Sequence, residues 1–218
     1  MKILLAIVSC HSRPEFSDAI RNTWATRVQG ADLRFFLGRG PNPPKGDEVI
    51  LDCDDSYAGI PEKVREIFRW AYKQEYDFVS KIDDDVVMDH SKFLEQCFNS
   101  DFEGPGKTLN GTARVLQMPY GFCYVLSKKA MAIVASSPLP QEDERYEQRH
   151  RNNDEYWVSW LLQKEGIYLH VNWLCRMWDG TDLYPELPNT FIFCVHMHSL
   201  SKPEEVHEMC RIWRERFQ

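Results

Sequence analysis

Six consecutive apolar residues, Ile3–Val8, open the chain and predict a strand covered on both faces, since a half-exposed strand would alternate instead. Ser12-Arg13-Pro14-Glu15 follows with the spacing of a capping box and proline in the first turn, and predicts a helix start. Phe16, Ala19, Ile20 and Trp24 then recur at helical spacing. Residues 33–37 form a second apolar run, residues 38–46 a Gly/Pro-rich loop, and residues 49–51 a short third strand. From Pro61 onward Val64, Ile67, Phe68, Ala71 and Tyr72 draw an amphipathic helical stripe, and residues 78–82 return to a strand. Alternating β and α units of this kind predict an α/β fold whose central sheet is mixed, mostly parallel and flanked by helices.

Beyond Asp85 the pattern is more varied. A helix is expected around residues 91–98, a break at Gly104-Pro105-Gly106, strands at 112–116 and 122–126, and a helix from Ser127 through Val134. Residues 136–153 are polar, highly charged and bounded by prolines, the composition of a mobile loop. Residues 154–164 read as a helix ended by Gly166, and residues 167–171 and 191–195 as late strands. Ser201-Lys202-Pro203-Glu204 is a second capping box, opening a terminal helix with Val206, Met209, Cys210, Trp213 and Phe217 on its apolar stripe. With neither internal repeat nor linker, residues 1–218 are expected to form one domain.

Composition narrows the function. The chain has 218 residues, 43% of them hydrophobic, enough to bury a core of its own. Its 26 Lys and Arg against 33 Asp and Glu give 26 − 33 = −7, and no basic cluster stands out, which argues against nucleic acid as a partner. The longest apolar run falls far short of the roughly 20 residues that span a bilayer, so no membrane span is expected. Seven isolated cysteines without a C-x-x-C pair read as reduced core thiols and a cytoplasmic setting, host cytoplasm if the enzyme is viral. The Asn110-Gly111-Thr112 sequon would matter only in a secreted protein.

Four constellations carry candidate chemistry. Asp83, Asp84 and Asp85 stand directly after an apolar strand, where α/β sheets place their ligands. Adjacent carboxylates repel unless a cation neutralises them, and hard oxygen donors suit Mg²⁺ or Mn²⁺ bridging a diphosphate; an acidic turn with a helix cap is the plainer alternative. His196 and His198 end a predicted strand on one face, as metal ligands or as a structural pair. Asp154 and Glu155 begin an aromatic-rich helix with Tyr156, Trp157 and Trp160: either dipole-stabilising acids, or a general base beside sugar-stacking rings. Arg13, Arg21 and Lys63 each lie near a helix start after a strand, able to hold phosphates or simply solvated.

Taken in order, Arg13, Ala19-Ile20-Arg21-Asn22-Thr23-Trp24, Phe35-Phe36-Leu37-Gly38, the segment from Asp52 to Tyr57 and Lys81-Ile82-Asp83-Asp84-Asp85 resemble the inverting β-1,3-galactosyltransferase, N-acetylglucosaminyltransferase and Fringe-like family. Tyr120-Gly121-Phe122-Cys123-Tyr124-Val125-Leu126-Ser127, Asp154-Glu155 and Leu162-Gln163-Lys164-Glu165-Gly166-Ile167 continue the series, which spans roughly residues 3–200. Among short members it is similar to the soluble transferase domains of large algal viruses. The resemblance implies a single-domain GT-A fold, with a nucleotide-sugar half at about 1–90 and an acceptor half at about 91–218. It also implies a UDP-linked sugar donor, a divalent metal, usually Mn²⁺, and a glycan or glycoprotein acceptor. Carried over residue by residue, Asp85 is the principal metal ligand and Asp83 contacts the ribose or sugar. His198 is the late metal ligand, with His196 as its substitute, and Glu155 is the base, with Asp154 as the alternative. Val8, Ser9, Arg13, Arg21, Asp55, Lys63 and Asp84 fall on the donor side. Ala58-Gly59-Ile60-Pro61-Glu62-Lys63 departs from the family's usual Asn-Leu-Thr before its lysine, so donor contacts there are expected to differ. Family members are commonly lumenal and anchored, which makes a Golgi enzyme with its anchor removed the alternative setting.

Two other classes compete. A metal-dependent nucleotidyltransferase also uses strand-end acids, yet Val8-Ser9-Cys10-His11-Ser12 lacks the glycines of a phosphate loop. A non-catalytic nucleotide-sugar or carbohydrate-binding module would stack rings on Trp157, Trp160, Trp173 or Trp178 and tolerate loss of both Asp154 and Glu155.

Overall fold

The computed structural model describes residues 1–96, 98–104, 106–110, 115–144, 146, 150–171, 174–177, 192–196 and 211. In chain order they form β1 (Ile3–Val8), α1 (Pro14–Arg21), a 3-10 turn (Trp24–Arg27), β2 (Asp32–Leu37), β3 (Glu48–Ile50), a second 3-10 turn (Tyr57–Gly59), α2 (Ile60–Lys73) and β4 (Phe78–Asp83). There follow β5 (Val86–Met88), α3 (His90–Gln96), β6 (Phe102–Glu103), β7 (Gly106–Asn110), β8 (Val115–Pro119), β9 (Cys123–Ser127), α4 (Lys128–Ser136), α5 (Asp154–Lys164), β10 (Leu174–Met177) and β11 (Ile192–His196).

The main sheet runs β3-β2-β1-β4-β9-β6. Its first four strands are parallel, while β9 is antiparallel to both β4 and β6. β1 is buried at every position because both faces are covered. Ile3, Leu5 and Ile7 meet Phe16, Ile20 and Trp24 on one side; Leu4, Ala6 and Val8 meet the Val64, Ile67, Phe68 and Ala71 stripe of α2 on the other. The period-two alternation of a strand thus feeds two separate cores. A three-stranded sheet β10-β11-β5 and the antiparallel pair β7-β8 lie outside the main sheet.

Several local expectations need correction. Ser12 does not cap α1: Arg13 occupies the N-cap with no side-chain hydrogen bond, and Pro14, which has no N–H to satisfy, opens the helix. Residues 167–171 form no strand, only a bridge between Glu103 and His170, because the two-residue β6 offers a single rung. Within the span 136–153, Tyr146 is buried, its ring stands edge-on to Tyr156 and Trp160 at 5.7 and 5.4 Å, and its hydroxyl donates to the His150 carbonyl at 3.0 Å. These contacts join Tyr146 to α5, and Trp157 is wholly buried. α4 and α5 do receive caps, from Ser127 and Asn153, and Gly166 takes φ +75° after α5, a left-handed position that glycine adopts without penalty. The terminal helix expected from Ser201 lies outside the described residues, as does Trp178. The Cys10, Cys53 and Cys123 thiols are reduced, and among the described residues no helix is long and apolar enough to cross a membrane.

Candidate active site

From β1 the chain passes to β2 on one side, while β4 lies on the other, so a crevice opens beyond the carboxyl ends of β1 and β4. A cleft of about 420 Å³ lies there, lined by Val8, Ser9, Cys10, Ser12, Arg13, Asp55, Ser56, Tyr57, Ile60, Lys63, Asp83, Asp84 and Asp85. Eight sequence candidates from three separate segments thus meet in one place. A larger surface hollow of about 610 Å³, between the Trp24–Arg27 turn and α3, shares no residue with this cleft and holds none of the candidates.

Arg21 is not among the cleft residues. Its guanidinium donates to Asp18, Asp47 and Glu48 at 2.7 to 2.9 Å and lies 4.2 Å from the centre of the Phe35 ring. Three carboxylates and an aromatic face occupy its donors, so its place is in a structural network joining α1 to the β2–β3 edge.

One wall of the cleft is fixed by Asp55. Its Oδ1 accepts from the Gly38 amide at 2.6 Å and from Lys63 Nζ at 2.7 Å, and its Oδ2 accepts from the His11 amide at 2.7 Å. Lys63, only 2% exposed, also donates to the Ser9 carbonyl at 2.7 Å. Burial works against the Asp55 charge, but the Lys63 bond and the two amides outweigh it and hold its pKa below the usual value. Gly38 is required by this arrangement: a Cβ there would sit 2.8 Å from the Asp55 and Cys53 backbone. The buried pair therefore ties the loops after β1 and β2 to the first turns of α2.

The opposite wall is acidic. Asp84 is 5% exposed, accepts from Ser9 Oγ at 3.3 Å and faces Arg13 at 3.6 Å. Burial pushes its carboxyl up to about 7 against the pull of Arg13, with Asp85 and Asp83 adding like charge. Arg13 rests on the Phe16 ring at 3.8 Å, and its Nε and Nη2 are buried without a hydrogen bond.

Behind the acids lies Lys81, a residue to which the sequence pattern assigned no role. It is 2% exposed in the middle of the sheet. Its ammonium donates to Asp83 Oδ1 at 2.6 Å and to the Gly121 carbonyl, and it stands 3.7 Å from Asp154 Oδ2. Burial alone would lower its pKa; Asp154 and then Asp83 reverse that and raise it, so the group is a cation. Asp154, 5% exposed at the start of α5, also accepts from the Tyr124 hydroxyl at 2.8 Å. The Glu155 carboxylate lies over Gly121, where a Cβ would come within 2.9 Å of it. Asp154 thus points into the protein, whereas Glu155 is half-buried beside the turn preceding β9. A lysine within an apolar strand gives little sign of these contacts, because two of its three partners, Gly121 and Asp154, are far away in the chain.

Of the histidines, the β11 register sets the His196 backbone opposite Val86, one residue past Asp85; His198 and the His196 side chain lie outside the described residues. Among the described residues no group of three or more His, Cys, Asp or Glu is arranged to hold a metal.

Residues 17–114 match the family model described as Galactosyltransferase. That segment includes Asp55, Lys63 and the three aspartates and ends before Asp154 and Glu155. No curated protein sequence matches the chain significantly. Among solved structures, the chain is similar to a glycosyltransferase involved in the glycosylation of the major capsid of PBCV-1, with 15% identity over 95% of this chain and 99% of that one, at a TM-score of 0.49. It is also similar to the galactosyltransferase LgtC in complex with donor and acceptor sugar analogs, with 10% identity over 97% of this chain and 95% of that one, at a TM-score of 0.53. Residues 17–114 thus carry the galactosyltransferase family pattern, and the mixed sheet that presents them is a glycosyltransferase fold of the GT-A type.

Proposed function

We propose that this chain is a metal-dependent inverting glycosyltransferase that moves a hexose from a UDP-linked donor to a glycan hydroxyl. The observation that carries this reading is the meeting of Arg13, Asp55, Lys63 and the three strand-end aspartates in one cleft, with the acids of α5 tied to the same strand end through Lys81. Residues of about 1–90 would form the nucleotide-sugar half and those beyond it the acceptor half.

The strand-end acids supply the donor type that a divalent cation takes, and since no three of the described residues are arranged to hold one, the site would need a further ligand from outside them. Three carboxylates line the cleft, all hard oxygen ligands; burial, with the like charge of Asp85 and Asp83 added, drives the Asp84 carboxyl up to about 7, and a cation would offset the like-charge part of that cost. Asp85 would be the principal ligand, with Asp83 beside it and His198, or His196 in its place, completing the site. When bound, Mn²⁺ or Mg²⁺ would offset the charge that develops on the departing diphosphate. Arg13, which lines the cleft and faces Asp84 at 3.6 Å, would add a cation on the same side.

The transfer itself is a direct displacement. Glu155 takes the proton from the acceptor hydroxyl as its oxygen attacks the anomeric carbon, and the bond to the diphosphate breaks on the opposite face. Asp154 is less suited to that role: it is buried and bound by Tyr124 and Lys81, an anchor for the helix start. LgtC, with donor and acceptor sugar analogs bound, shares the fold, which supports a sugar donor here.

Titration calorimetry of UDP-hexoses with Mn²⁺, repeated with a chelator, tests the proposal. Metal-dependent binding abolished in Asp85→Ala is expected; full transfer activity in Asp85→Ala would sink the metal assignment. A non-catalytic module predicts binding with no turnover and no effect of Glu155→Gln on any rate.

A further inference from the structure

A buried lysine that reaches two carboxylates and a carbonyl on three different segments is costly unless all of its partners stay in place. We propose that Lys81 is the positioning residue that holds the donor side and the proton-accepting side of the site in one frame; this rests on the transferase reading above. The ammonium bonds to Asp83 at the cleft end of β4 and to the Gly121 carbonyl in the turn before β9, and it faces Asp154 at the start of α5. Each partner lies next to a reacting element. Asp83 lines the cleft, Gly121 lies under the Glu155 carboxylate, and Asp154 precedes Glu155 in the chain.

The geometry leaves Lys81 no independent task. It is absent from the residues that line the cleft, so it does not reach the donor. At 2% exposure it has no water to replace a lost partner. Asp154 keeps a second bond, from Tyr124, which holds that carboxylate to the sheet but does nothing for the Gly121 turn or for Asp83. Only the ammonium spans all three. Its three facing carboxylates, Asp83, Asp154 and Glu155, and one positive charge sum to −3 + 1 = −2. Removal of the cation therefore takes the charge at the junction between donor and base from −2 to −3. The segments separate there, and the distance between the anomeric carbon and the attacking oxygen is the quantity that changes.

The test compares wild type with Lys81→Met, which keeps the length of the side chain and removes its charge. Binding of UDP with Mn²⁺ is measured by calorimetry, and UDP release from a panel of UDP-hexoses gives kcat and KM with water as acceptor. Lys81→Met is expected to bind UDP within about tenfold of wild type and to show a KM within about tenfold, while kcat falls at least about a hundredfold, the scale of a misplacement near 1 Å. A folded Lys81→Met with kcat within threefold of wild type overturns the proposal. So does a loss confined to KM, because the lysine would then serve donor affinity alone. If Lys81→Met does not fold, Lys81→Met/Asp154→Asn restores the net charge of −2 and is judged by the same split, with wild-type kcat again the overturning result. A wild type that neither binds UDP nor releases it refutes the transferase reading itself; an active wild type with an indifferent Lys81→Met refutes only the role of the lysine.

Discussion

Asp55→Asn is the most informative single change to the donor wall. The substitution keeps the shape of the side chain but alters two things at once. An amide oxygen at the Oδ1 position still accepts from Gly38 and Lys63, but an NH2 group at Oδ2 faces the His11 amide donor to donor. An orphaned buried amide costs about 1–3 kcal/mol, and loss of the charged partner of a buried lysine costs about 3–5 kcal/mol. The two overlap, since both describe the same carboxylate, so the expected loss is about 3–5 kcal/mol. For a chain of this size that is a fall in Tm of about 6–20 °C at 2–4 °C per kcal/mol. The sign of the pH dependence follows from the lowered pKa of Asp55. Its stabilisation is fully present above the ordinary carboxylate value of about 3.9 and is lost as pH falls through the lower folded value. Urea midpoints of wild type and Asp55→Asn should therefore differ most, and by a constant amount, between pH 5 and 7, and converge below about pH 4. A difference under about 1 kcal/mol at pH 7, or one that persists unchanged at pH 3, would refute the reasoning.

Three further outcomes are expected. Gly121→Ala drives a methyl into the Glu155 carboxylate, the movable end of a side chain, so stability should change by less than about 1 kcal/mol while transfer falls at least tenfold; equal rates in a steady-state assay would remove Glu155 from the site. Arg21→Met strips a cation from three carboxylates away from the cleft, and should cost about 1–3 kcal/mol in urea denaturation with no change in UDP affinity; weakened nucleotide binding without loss of stability would return Arg21 to the donor side. Tyr124→Phe deletes the hydroxyl that bonds the buried Asp154 and should lower stability by about 1–3 kcal/mol, with a several-fold drop in kcat; a neutral effect on both would mean that Lys81 alone suffices to hold Asp154.

The parallel half of the sheet was legible because buried strands leave unbroken apolar runs and α2 leaves a clean stripe; β1, β2, β4 and α2 fall within one or two residues of their expected bounds. The short β5 was hidden after three aspartates, its burial depending on the distant β11. Residues 167–171 failed as a strand for the converse reason, since a sequence window cannot show that its partner is two residues long. The site followed the same division. Asp83 to Asp85 announce themselves by mutual repulsion, and Arg13, Asp55 and Lys63 by order in the chain. Lys81, Gly121 and Tyr124 acquire their roles only when β4, β9 and α5 meet. Arg21 shows the limit from the other side: its position in the motif was plain, but two of the three carboxylates that engage it come from the β2–β3 edge.

The strand order has a consequence for synthesis. Of the strands of the main sheet β1 leaves the ribosome before the others yet sits between β2 and β4, so one of its flanks stays bare until residue 83 has emerged. Once it has, all four parallel strands and α2 exist, and the Asp55–Lys63 clamp can close with some 70 residues still to be made before Glu155 appears. The Asp55–Lys63 wall of the cleft is then a nascent-chain structure, and Glu155, the proposed proton acceptor, arrives later on a platform already built. Pulse-labelled hydrogen exchange on stalled chains checks this order: amides of β1 and β2 should gain protection in chains ending before residue 120, and their exposure until α5 is complete would contradict it.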